Sequence, residues 1–282
     1  MLPSNSIKEN SHIWHGKLNL IYAKRQNKTQ LIHAHHQAPL NIQRPFYPEG
    51  EEICHSVALH TAGGVVGGDK LSYDVHLQDN SQALITTAAA SKIYRSNGYQ
   101  AKQDIKIKLD SNSYLEWLPQ ETIIFNDAEY SQKLRVEVGE NATFMGWEIT
   151  RFGRSARGEK FTAGEFRSYT EIWHLGKPLW IDRQWVPGCE EVFHSHHGLG
   201  GNAIAGTLIW LKNPVSSEII TQVRNLWQGK GEVGVTRLEH GFLCRYRGSG
   251  SSEVRNWFTD VWQLLRMSYL HRVACIPRVW QI

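Results

Sequence analysis

The sequence predicts a mainly β fold in which stacked antiparallel sheets form a β-helix-like (solenoid-like) arrangement with two C-terminal helices. Three observations support this prediction. Apolar residues alternate with period two through most of the first two thirds of the chain, for example over 71–77, 105–109 and 134–138. A weak internal repeat recurs in the same region. Two segments with helical periodicity follow residue 213.

The repeat consists of an apolar strand end, a polar turn and an apolar restart. Its three copies are LQDNSQALI, LDSNSYLEW and VGENATFMGW, which place Asn80, Asn112 and Asn141 in the turns. Asparagine tolerates the left-handed backbone conformation that tight turns require. Copies spaced by about 30 residues are typical of stacked structural units, so the repeat predicts successive strand pairs along one axis, each covering the apolar face of its neighbour.

The chain of 282 residues is long enough to bury a large core, and we expect one domain over 1–282. A β body is predicted at about 12–212, and a C-terminal unit at about 214–275 packs on it. This unit contains a short helix that starts near Ser216, a hairpin, and a longer helix that ends before Pro277. The character of the sequence therefore changes near residue 213.

Composition excludes several classes of function. The formal net charge of +4 is small and the basic residues are interleaved with acids, so no nucleic-acid surface is predicted. Neither an apolar leader nor a membrane span can be read, which predicts a cytoplasmic protein without membrane contact. The cysteines are far apart and predict reduced, structural thiols. They are Cys54, Cys189, Cys244 and Cys275.

Two glycine pairs and an aspartate stand out in TAGGVVGGD, between strand-like segments. A phosphate-binding loop is excluded because Gly68 is followed by Asp69, Lys70 and a strand pattern rather than by the Lys-Ser/Thr that opens a helix. The spacing also lacks the G-x-G of a dinucleotide site. We therefore interpret the glycines as a bend where strands cross closely.

Histidines are grouped in HAHH and HSHH. On a strand, residues two apart project to the same side, so His33 with His35, or His194 with His196, could offer two imidazoles to nickel or zinc. A tight site needs three or four ligands, however, and glycines follow the second group. Solvated loop histidines are the favoured interpretation of that group, and a weak metal contact is the alternative.

Other polar groups have structural and functional interpretations side by side. In GRSARGE, Arg154 and Arg157 could bind a partner's carboxylate or phosphate, although an ion pair that ties the turn is slightly favoured. Glu116 and Glu121 flank Pro119 and could act as acid and base, but no nucleophile motif accompanies them. An enzymatic role is therefore not the favoured prediction.

The chain contains eleven tryptophans, which are large amphipathic groups suited to cores and to interfaces. We expect most of them in the core. The longer C-terminal helix is rich in aromatic residues, and Trp257 and Trp262 on it are candidates to face a partner. The helical end of the chain is therefore predicted to include an interaction surface.

Five motifs occur in the order found in the UreD (UreH) family of urease accessory proteins, which the chain resembles over nearly its whole length. Each motif alone is weakly specific, whereas five in order are a strong signal. They are TAGGVVGGD (61–69), TTAAASKIYRS (86–96), LEWLPQETIIF (115–125), GRSARGE (153–159) and PRVW (277–280).

The resemblance implies a non-enzymatic role. Proteins of this family bind apo-urease and, with UreF and the GTPase UreG, form the assembly that carries nickel into the urease active site. The chain would link urease to UreF, and the resemblance implies no tightly bound cofactor beyond transient nickel. The family fold is described as stacked β-sheets with two helices, in agreement with the repeat and the C-terminal unit.

Two hypotheses assign residues to this role. A nickel route needs weak, exchangeable contacts, because a closed coordination sphere would trap the ion. The candidate nickel contacts are Asp69, Glu116, Glu121, His194 and His196. UreF is expected at the C-terminal helices. The candidate partner contacts are Arg154, Arg157, Trp257 and Trp262.

Two other classes of function are alternatives to this accessory role. One is a metal-dependent β-fold hydrolase that uses the histidine groups, and the other is a carbohydrate-binding β module, for which a secretion signal is lacking.

Overall fold

Strands dominate the computed structural model, which describes residues 13–211 and 214–281. The strands are β1 (His15–Arg25), β2 (Lys28–Gln37), β3 (Leu40–Ile42), β4 (Ile53–His60), β5 (Lys70–Leu77), β6 (Gln82–Thr87), β7 (Ser91–Ile93), β8 (Ala101–Leu109), β9 (Tyr114–Leu118), β10 (Thr122–Ile124), β11 (Ala128–Val138), β12 (Thr143–Phe152), β13 (Gly164–His174), β14 (Lys177–Pro187), β15 (Ile204–Leu211), β16 (Glu232–Leu238) and β17 (Gly241–Gly248). The helices are α1 (Glu190–His194), α2 (Ser217–Asn225) and α3 (Ser251–Leu265). A π-helical turn continues α3 over Arg266–Leu270, and 3-10 turns cover Ser155–Arg157 and Arg278–Trp280.

The strands form two stacked sheets. Sheet A has the order β14-β13-β11-β8-β5-β1-β2, and sheet B follows β16-β17-β15-β12-β9-β6-β4-β3. The chain passes from one sheet to the other and back, so the strand pairs β4/β5, β6/β8, β9/β11 and β12/β13 make about four turns of a β-solenoid. The predicted mainly β, solenoid-like architecture with C-terminal helices is therefore confirmed.

The predicted antiparallel pairing is correct only for the outer strands. The central neighbours β1-β5-β8-β11-β13 in sheet A and β4-β6-β9-β12 in sheet B pair in parallel. The outer strands β2, β3, β14, β15, β16 and β17 pair antiparallel. The central pairing is parallel because the chain returns to each sheet after a full turn, running in the same direction as before. Alternation of apolar residues does not encode strand direction.

The asparagine repeat forms one edge of the solenoid. Asn80, Asn112 and Asn141 have φ values of 61°, 58° and 54°, so all three adopt the left-handed conformation in the turns from sheet A to sheet B. The turns also bond to one another, since the Asn80 N–H donates to Ser111 O at 3.0 Å and the Asn112 N–H to Glu140 O at 2.8 Å. We call this row of turns the short-turn edge.

The opposite edge carries the long connections from sheet B to sheet A. A short parallel ladder of β7, β10 and the end of β12 crosses these loops, and Val65 adds an isolated bridge to Ile93. Ile93, Ile124 and Phe152 lie in register and are buried. The loops are therefore stacked like the strands. We call the loops 61–69, 88–100, 119–127 and 153–163 the long-loop edge.

Sheet B is buried on both faces. Its inner face packs against sheet A, while α2 and α3 cover its outer face. Consequently β9 is buried at every position, whereas β5 alternates between buried and accessible side chains. The predicted hairpin, β16 with β17, extends sheet B, and the predicted longer helix ends earlier than expected. Val273, assigned to that helix from its spacing, lies in the non-helical tail.

Candidate functional site

The long-loop edge brings together most of the distinctive sequence motifs. The segments 61–69, 86–96, 119–125 and 153–159 lie in successive loops at this edge, because each follows a strand of sheet B and precedes a strand of sheet A. Stacking of equivalent loops puts segments that are far apart in sequence side by side. Binding residues concentrate on loops that a rigid scaffold positions, so this edge is a candidate functional surface.

The glycines of TAGGVVGGD allow the loops to approach closely. A Cβ atom on Gly64 would lie 2.8 Å from the carbonyl oxygen of Lys92, and one on Gly67 would lie 2.6 Å from that of Tyr99. Both distances are shorter than side-chain atoms tolerate, and both obstacles are backbone atoms of the next loop. The interpretation of the segment as a close crossing is confirmed.

Asp69 fixes the end of this crossing. One of its carboxylate oxygens accepts the Trp14 N–H at 3.2 Å, and the other accepts the Val66 N–H at 3.1 Å. The residue is 5% exposed. Its carboxylate thus has a structural role in joining the start of β1 to the glycine loop, and its contact with nickel stays a prediction.

Glu121 lies at the same edge between two arginines. Its carboxylate is 3.2 Å from Arg255 Nη2 and 3.6 Å from Arg151 Nη2, and Arg255 also donates to Gln120. The residue is buried, so these guanidinium groups compensate its charge. A cation would therefore compete with two arginines for Glu121, and this nickel contact also stays a prediction.

Arg154 ties its own turn. It forms an ion pair with Glu159, whose Oε1 also accepts the N–H groups of Asn126 at 3.1 Å and Arg154 at 3.3 Å. The Arg154 guanidinium lies 4.5 Å from the ring centroid of Phe125. This geometry agrees with the favoured structural interpretation of GRSARGE. Arg157 is exposed at the tip of the turn and is accessible to a partner.

Glu116 is fully buried between sheet B and α3, where Arg266 binds it in a two-pronged ion pair. Arg266 Nε donates to Oε1 at 2.8 Å and Nη2 donates to Oε2 at 2.7 Å. Trp262 and Tyr114 also donate to Oε1. Burial alone would lower the pKa of Arg266, but the bonds and charge of Glu116 raise it instead. The arginine is therefore a permanent cation in the core.

Arg266 also connects distant parts of the chain. Its Nη1 donates to Glu49 Oε2 at 2.5 Å and to the carbonyl oxygen of Val273 at 3.1 Å. Burial would raise the pKa of Glu49, yet hydrogen bonds from His55 and Arg266 outweigh it and lower the pKa to about 2. The network thus joins the loop before β4, strand β9 and the C-terminal tail. Sequence reasoning missed Arg266, although an arginine four positions after Trp262 falls on the apolar face of the helix.

Another acid, Glu148, lies partly buried between the two sheets. It lines two small cavities of about 70 Å³ each, and each is large enough for a few water molecules. Gln132 donates a hydrogen bond to its carboxylate, as does Thr150 at 3.3 Å. Burial, with the negative charge of Asp182 as the next cause, raises the pKa of Glu148 to about 7. Near neutral pH this carboxyl group is therefore close to half-protonated.

One of the two cavities is lined both by residues of the long-loop edge and by residues between the sheets. The lining of this cavity includes polar residues of the loops, polar residues between the sheets, and tryptophan and aliphatic side chains. The polar lining residues are Thr87, Ser91, Gln103, Gln120, Thr122, Gln132, Lys133, Glu148, Thr170, Asp182, Gln184 and Thr207. The sequence contained a signal for Glu148, because in TFMGWEITRF it occupies the same strand face as Phe144, which packs between the sheets.

His194 and His196 do not have the predicted strand geometry. The segment forms the short helix α1, and Cys189 accepts the Val192 N–H at its start. His194 ends the helix, where Nε2 lies 3.1 Å from Glu190 Oε2, and both imidazoles are exposed. Residues two apart at a helix end do not share one side as they do on a strand, so the expectation of paired imidazoles here is wrong.

The five candidate nickel contacts lie in three separate places. Asp69 and Glu121 belong to the long-loop edge, Glu116 to the core between helix and sheet, and the two histidines to the exposed connection after β14. They therefore do not form one coordination site. A transient contact at each place stays a prediction.

Trp257 and Trp262 are core residues rather than surface anchors. Their exposed fractions are 2% and 0%, and both pack against the outer face of sheet B. The prediction that they face a partner is corrected for this structure, because the helix turns its aromatic stripe toward the sheet. The exposed apolar groups at this end of the molecule are instead Met267, Val273 and Ile276.

Comparison with known proteins places the chain in a family. The sequence profile described as "UreD urease accessory protein" matches residues 15–281. The chain belongs to the UreD family. Proteins named "Urease accessory protein UreD" are 69% identical in Nostoc sp. PCC 7120 and 53% in Acaryochloris marina, each over 95% of this chain and 96% of the relative. The relative in Methylobacillus flagellatus is 38% identical over 95% of the chain and 94% of its own length.

The resemblance found from the five motifs is thus confirmed. Membership of the UreD family gives the chain an accessory role in urease maturation, with partners in the maturation machinery. Over residues 13–211 and 214–281, the helices are too short or too polar to cross a membrane.

Proposed function

We propose that this chain is a non-enzymatic cytoplasmic scaffold that links apo-urease to UreF, and through UreF to the GTPase UreG, for the insertion of nickel. The family membership supports the accessory role, and the resemblance supplies the named partners. We propose further that nickel passes through the space between the two sheets. The observation that carries this step is the position of Glu148 at two cavities with mixed polar and apolar linings.

The chemistry of Glu148 suits an ion in transit. Its hydrogen-bond donors are amide and hydroxyl groups, and it also feels the charges of Asp182 and Arg245. A single carboxylate with such neighbours binds a borderline cation weakly and releases it readily. With a pKa of about 7, the carboxyl group can exchange its proton for a cation near neutral pH. The cavity beyond Glu148 extends to Thr207 and Arg245, and Arg245 pairs with Asp182 at 2.8 Å. The proposed route therefore runs from the long-loop edge toward the β15–β17 side.

The five residues proposed from sequence relate to this route in different ways. Asp69 and Glu121 lie at the edge where the route would begin, and Gln120 and Thr122 beside Glu121 line the cavity. Glu116 is left out of the route because both of its oxygens bind Arg266. The exposed histidines could meet nickel outside the protein body.

Replacement of Glu148 by Gln tests the route. The variant keeps the shape of the side chain but cannot exchange a proton for a cation, so we expect a several-fold lower nickel content per urease active site after co-expression with the urease genes. Glu140→Gln, an exposed residue of the short-turn edge, is the matched control. Normal nickel loading by the Glu148 variant, with UreF still recovered in the complex, would refute the route.

The scaffold itself is tested by leaving this chain out of the co-expression. We expect apo-urease with little activity and no UreF bound to it, because the link between them is missing. Urease that recruits UreF and nickel to the normal extent without this chain would contradict the scaffold, whichever path nickel takes.

We propose the C-terminal end of α3 and the following tail as the docking surface for UreF. Met267 and Val273 expose apolar side chains there, with exposed fractions of 46% and 65%. The double substitution Met267→Asp and Val273→Asp should abolish co-purification of UreF with this chain. Leu175→Asp is the control, because Leu175 is equally exposed (67%) in the hairpin between β13 and β14. Undiminished recovery of UreF would rule this surface out.

A further inference from the structure

The residues Glu49, His55 and Cys275 form an unexplained group beside the Arg266 network. Glu49 precedes β4, His55 lies on β4, and Cys275 belongs to the tail after α3. One ligand atom from each lies within 4.8 Å of the other two. His55 is fully buried, while Glu49 and Cys275 are partly accessible. An ion could therefore reach the group from solvent.

The hydrogen bonding of His55 is incomplete. Its Nε2 lies 2.5 Å from Glu49 Oε1, which orients the ring. Its Nδ1 is buried and has no hydrogen-bond partner among the described residues. A buried polar atom without a partner is costly and is rare in native structures. A ligand that accepts the lone pair of a ring nitrogen would remove this cost.

The charges around the group favour a divalent cation. Glu49 and Glu116 carry two negative charges, and Arg266 supplies one positive charge. A divalent ion bound with the thiolate of Cys275 would give three negative and three positive charges in the buried network. Buried charges are tolerated when they are compensated in this way. Arg266 also donates to both Glu49 oxygens, Nη1 to Oε2 at 2.5 Å and Nη2 to Oε1 at 3.0 Å, so an ion would share the Glu49 carboxylate with the guanidinium.

The ligand types indicate the kind of metal. A thiolate, an imidazole and a carboxylate suit borderline ions such as Zn²⁺ and Ni²⁺, whereas Mg²⁺ and Ca²⁺ prefer oxygen ligands. In a tetrahedral site with bonds of about 2.0 to 2.3 Å, two ligand atoms of one ion lie about 3.3 to 3.7 Å apart. Metal binding would therefore require the tail to move closer and the Glu49 carboxylate to leave its 2.5 Å contact with His55 Nε2, and a water molecule would complete a tetrahedron.

We propose that Glu49, His55 and Cys275 bind one borderline divalent ion, and that this ion fastens the C-terminal tail to strand β4. The three ligands come from two regions that Arg266 already joins, since it bonds to both Glu49 and the carbonyl oxygen of Val273. The site is separate from the Glu148 route and does not depend on the proposed path of nickel.

Cobalt binding to the purified full-length chain tests the site. After removal of metal with a chelator, Co²⁺ should bind with one equivalent and give the absorption band of a thiolate–cobalt bond. Cys275→Ser should abolish the band and weaken binding at least tenfold. Cys189→Ser is the control, because Cys189 is also a free and partly accessible thiol. A band that persists in the Cys275 variant, or wild-type protein without a band, overturns the proposal.

Protection of the thiol gives a second readout on the unaltered protein. Zn²⁺ and Ni²⁺, added separately, should slow alkylation of Cys275 at least tenfold and leave that of Cys189 unchanged, as measured by mass spectrometry of peptides. Protection by one ion or by both supports the site and identifies the preferred metal. Equal alkylation of Cys275 with and without each ion overturns it.

Discussion

The outer face of sheet A and the core beneath α3 both contain arginine–glutamate pairs, but in opposite environments. On sheet A, Arg135 contacts Glu137 at 2.6 Å and Glu171 at 2.8 Å, and its side chain is 42% exposed. In the core, Arg266 and Glu116 are both 0% exposed. Similar contact distances therefore describe pairs with very different surroundings.

The difference teaches what each pair contributes. Solvent and salt screen the charges of an exposed pair, so its net contribution to stability is at most about 1 kcal/mol. A buried pair stabilises little relative to an apolar core, but loss of one partner leaves a charge without compensation. The pairs on sheet A are thus free to change partners, whereas loss of a member of the Arg266 network leaves a charge without compensation where α3 and the tail meet the body.

The largest effect is expected from Arg266→Ala. It leaves Glu116 buried and unpaired, so the free energy of unfolding should fall by about 3–5 kcal/mol. Urea unfolding followed by tryptophan fluorescence measures this loss. A loss below about 1 kcal/mol would show that the two environments do not differ as the structure indicates.

The next effect is a pH dependence at Glu148, the partly buried acid between the two sheets. Its pKa rises from the usual 4.5 to about 7 on folding, so the unfolded chain loses the proton at lower pH and wild-type stability falls as pH rises between these values. Glu148→Gln lacks this titration. The free energy of unfolding of the variant should match that of wild type near pH 4. At pH 8 it should be higher than that of wild type by roughly 3 kcal/mol. Urea unfolding at both pH values measures the difference, with Glu140→Gln as the control. If the free energies of unfolding of wild type and the Glu148 variant changed in parallel with pH, the prediction would be contradicted.

A double variant sharpens the comparison by removing both charges of the buried pair. Adding Glu116→Gln to Arg266→Met should recover about 2 kcal/mol of the stability lost in the single Arg266→Met variant, because no unpaired carboxylate remains at position 116. The amide oxygen of the glutamine can still accept the Trp262 indole N–H. A double variant no more stable than Arg266→Met would place the loss in packing rather than in charge.

The smallest effect is expected on sheet A. Arg135→Ala should change the free energy of unfolding by less than about 1 kcal/mol, and the change should shrink in high salt. Urea unfolding at two salt concentrations provides the measurement. A salt-independent loss above 2 kcal/mol would mean that this exposed pair behaves like the buried one.

Local patterns in the sequence were sufficient for the turns and strands. Asn112 marks a turn through its tolerance of positive φ, and alternation identifies strands such as β5. The parallel pairing of the central strands could not be predicted from the sequence. Alternation of apolar residues shows which side chains share a face of a strand but not the direction in which the strand runs. Arg266 and Glu148 could be recognised as polar residues on apolar faces, but their partners could not. Glu49 and Arg266 are separated by 217 positions, and only the folded solenoid brings them together.

The contrast between the short-turn edge and the long-loop edge predicts where the chain accepts insertions and deletions. One residue added between β8 and β9 would reverse which side chains of β9 point inward, because strand faces alternate with period two. The tip at Ser155–Gly158 is exposed and follows no strand register. A peptide epitope inserted at this tip should leave the solenoid intact and mark the long-loop edge for mapping of its binding partners.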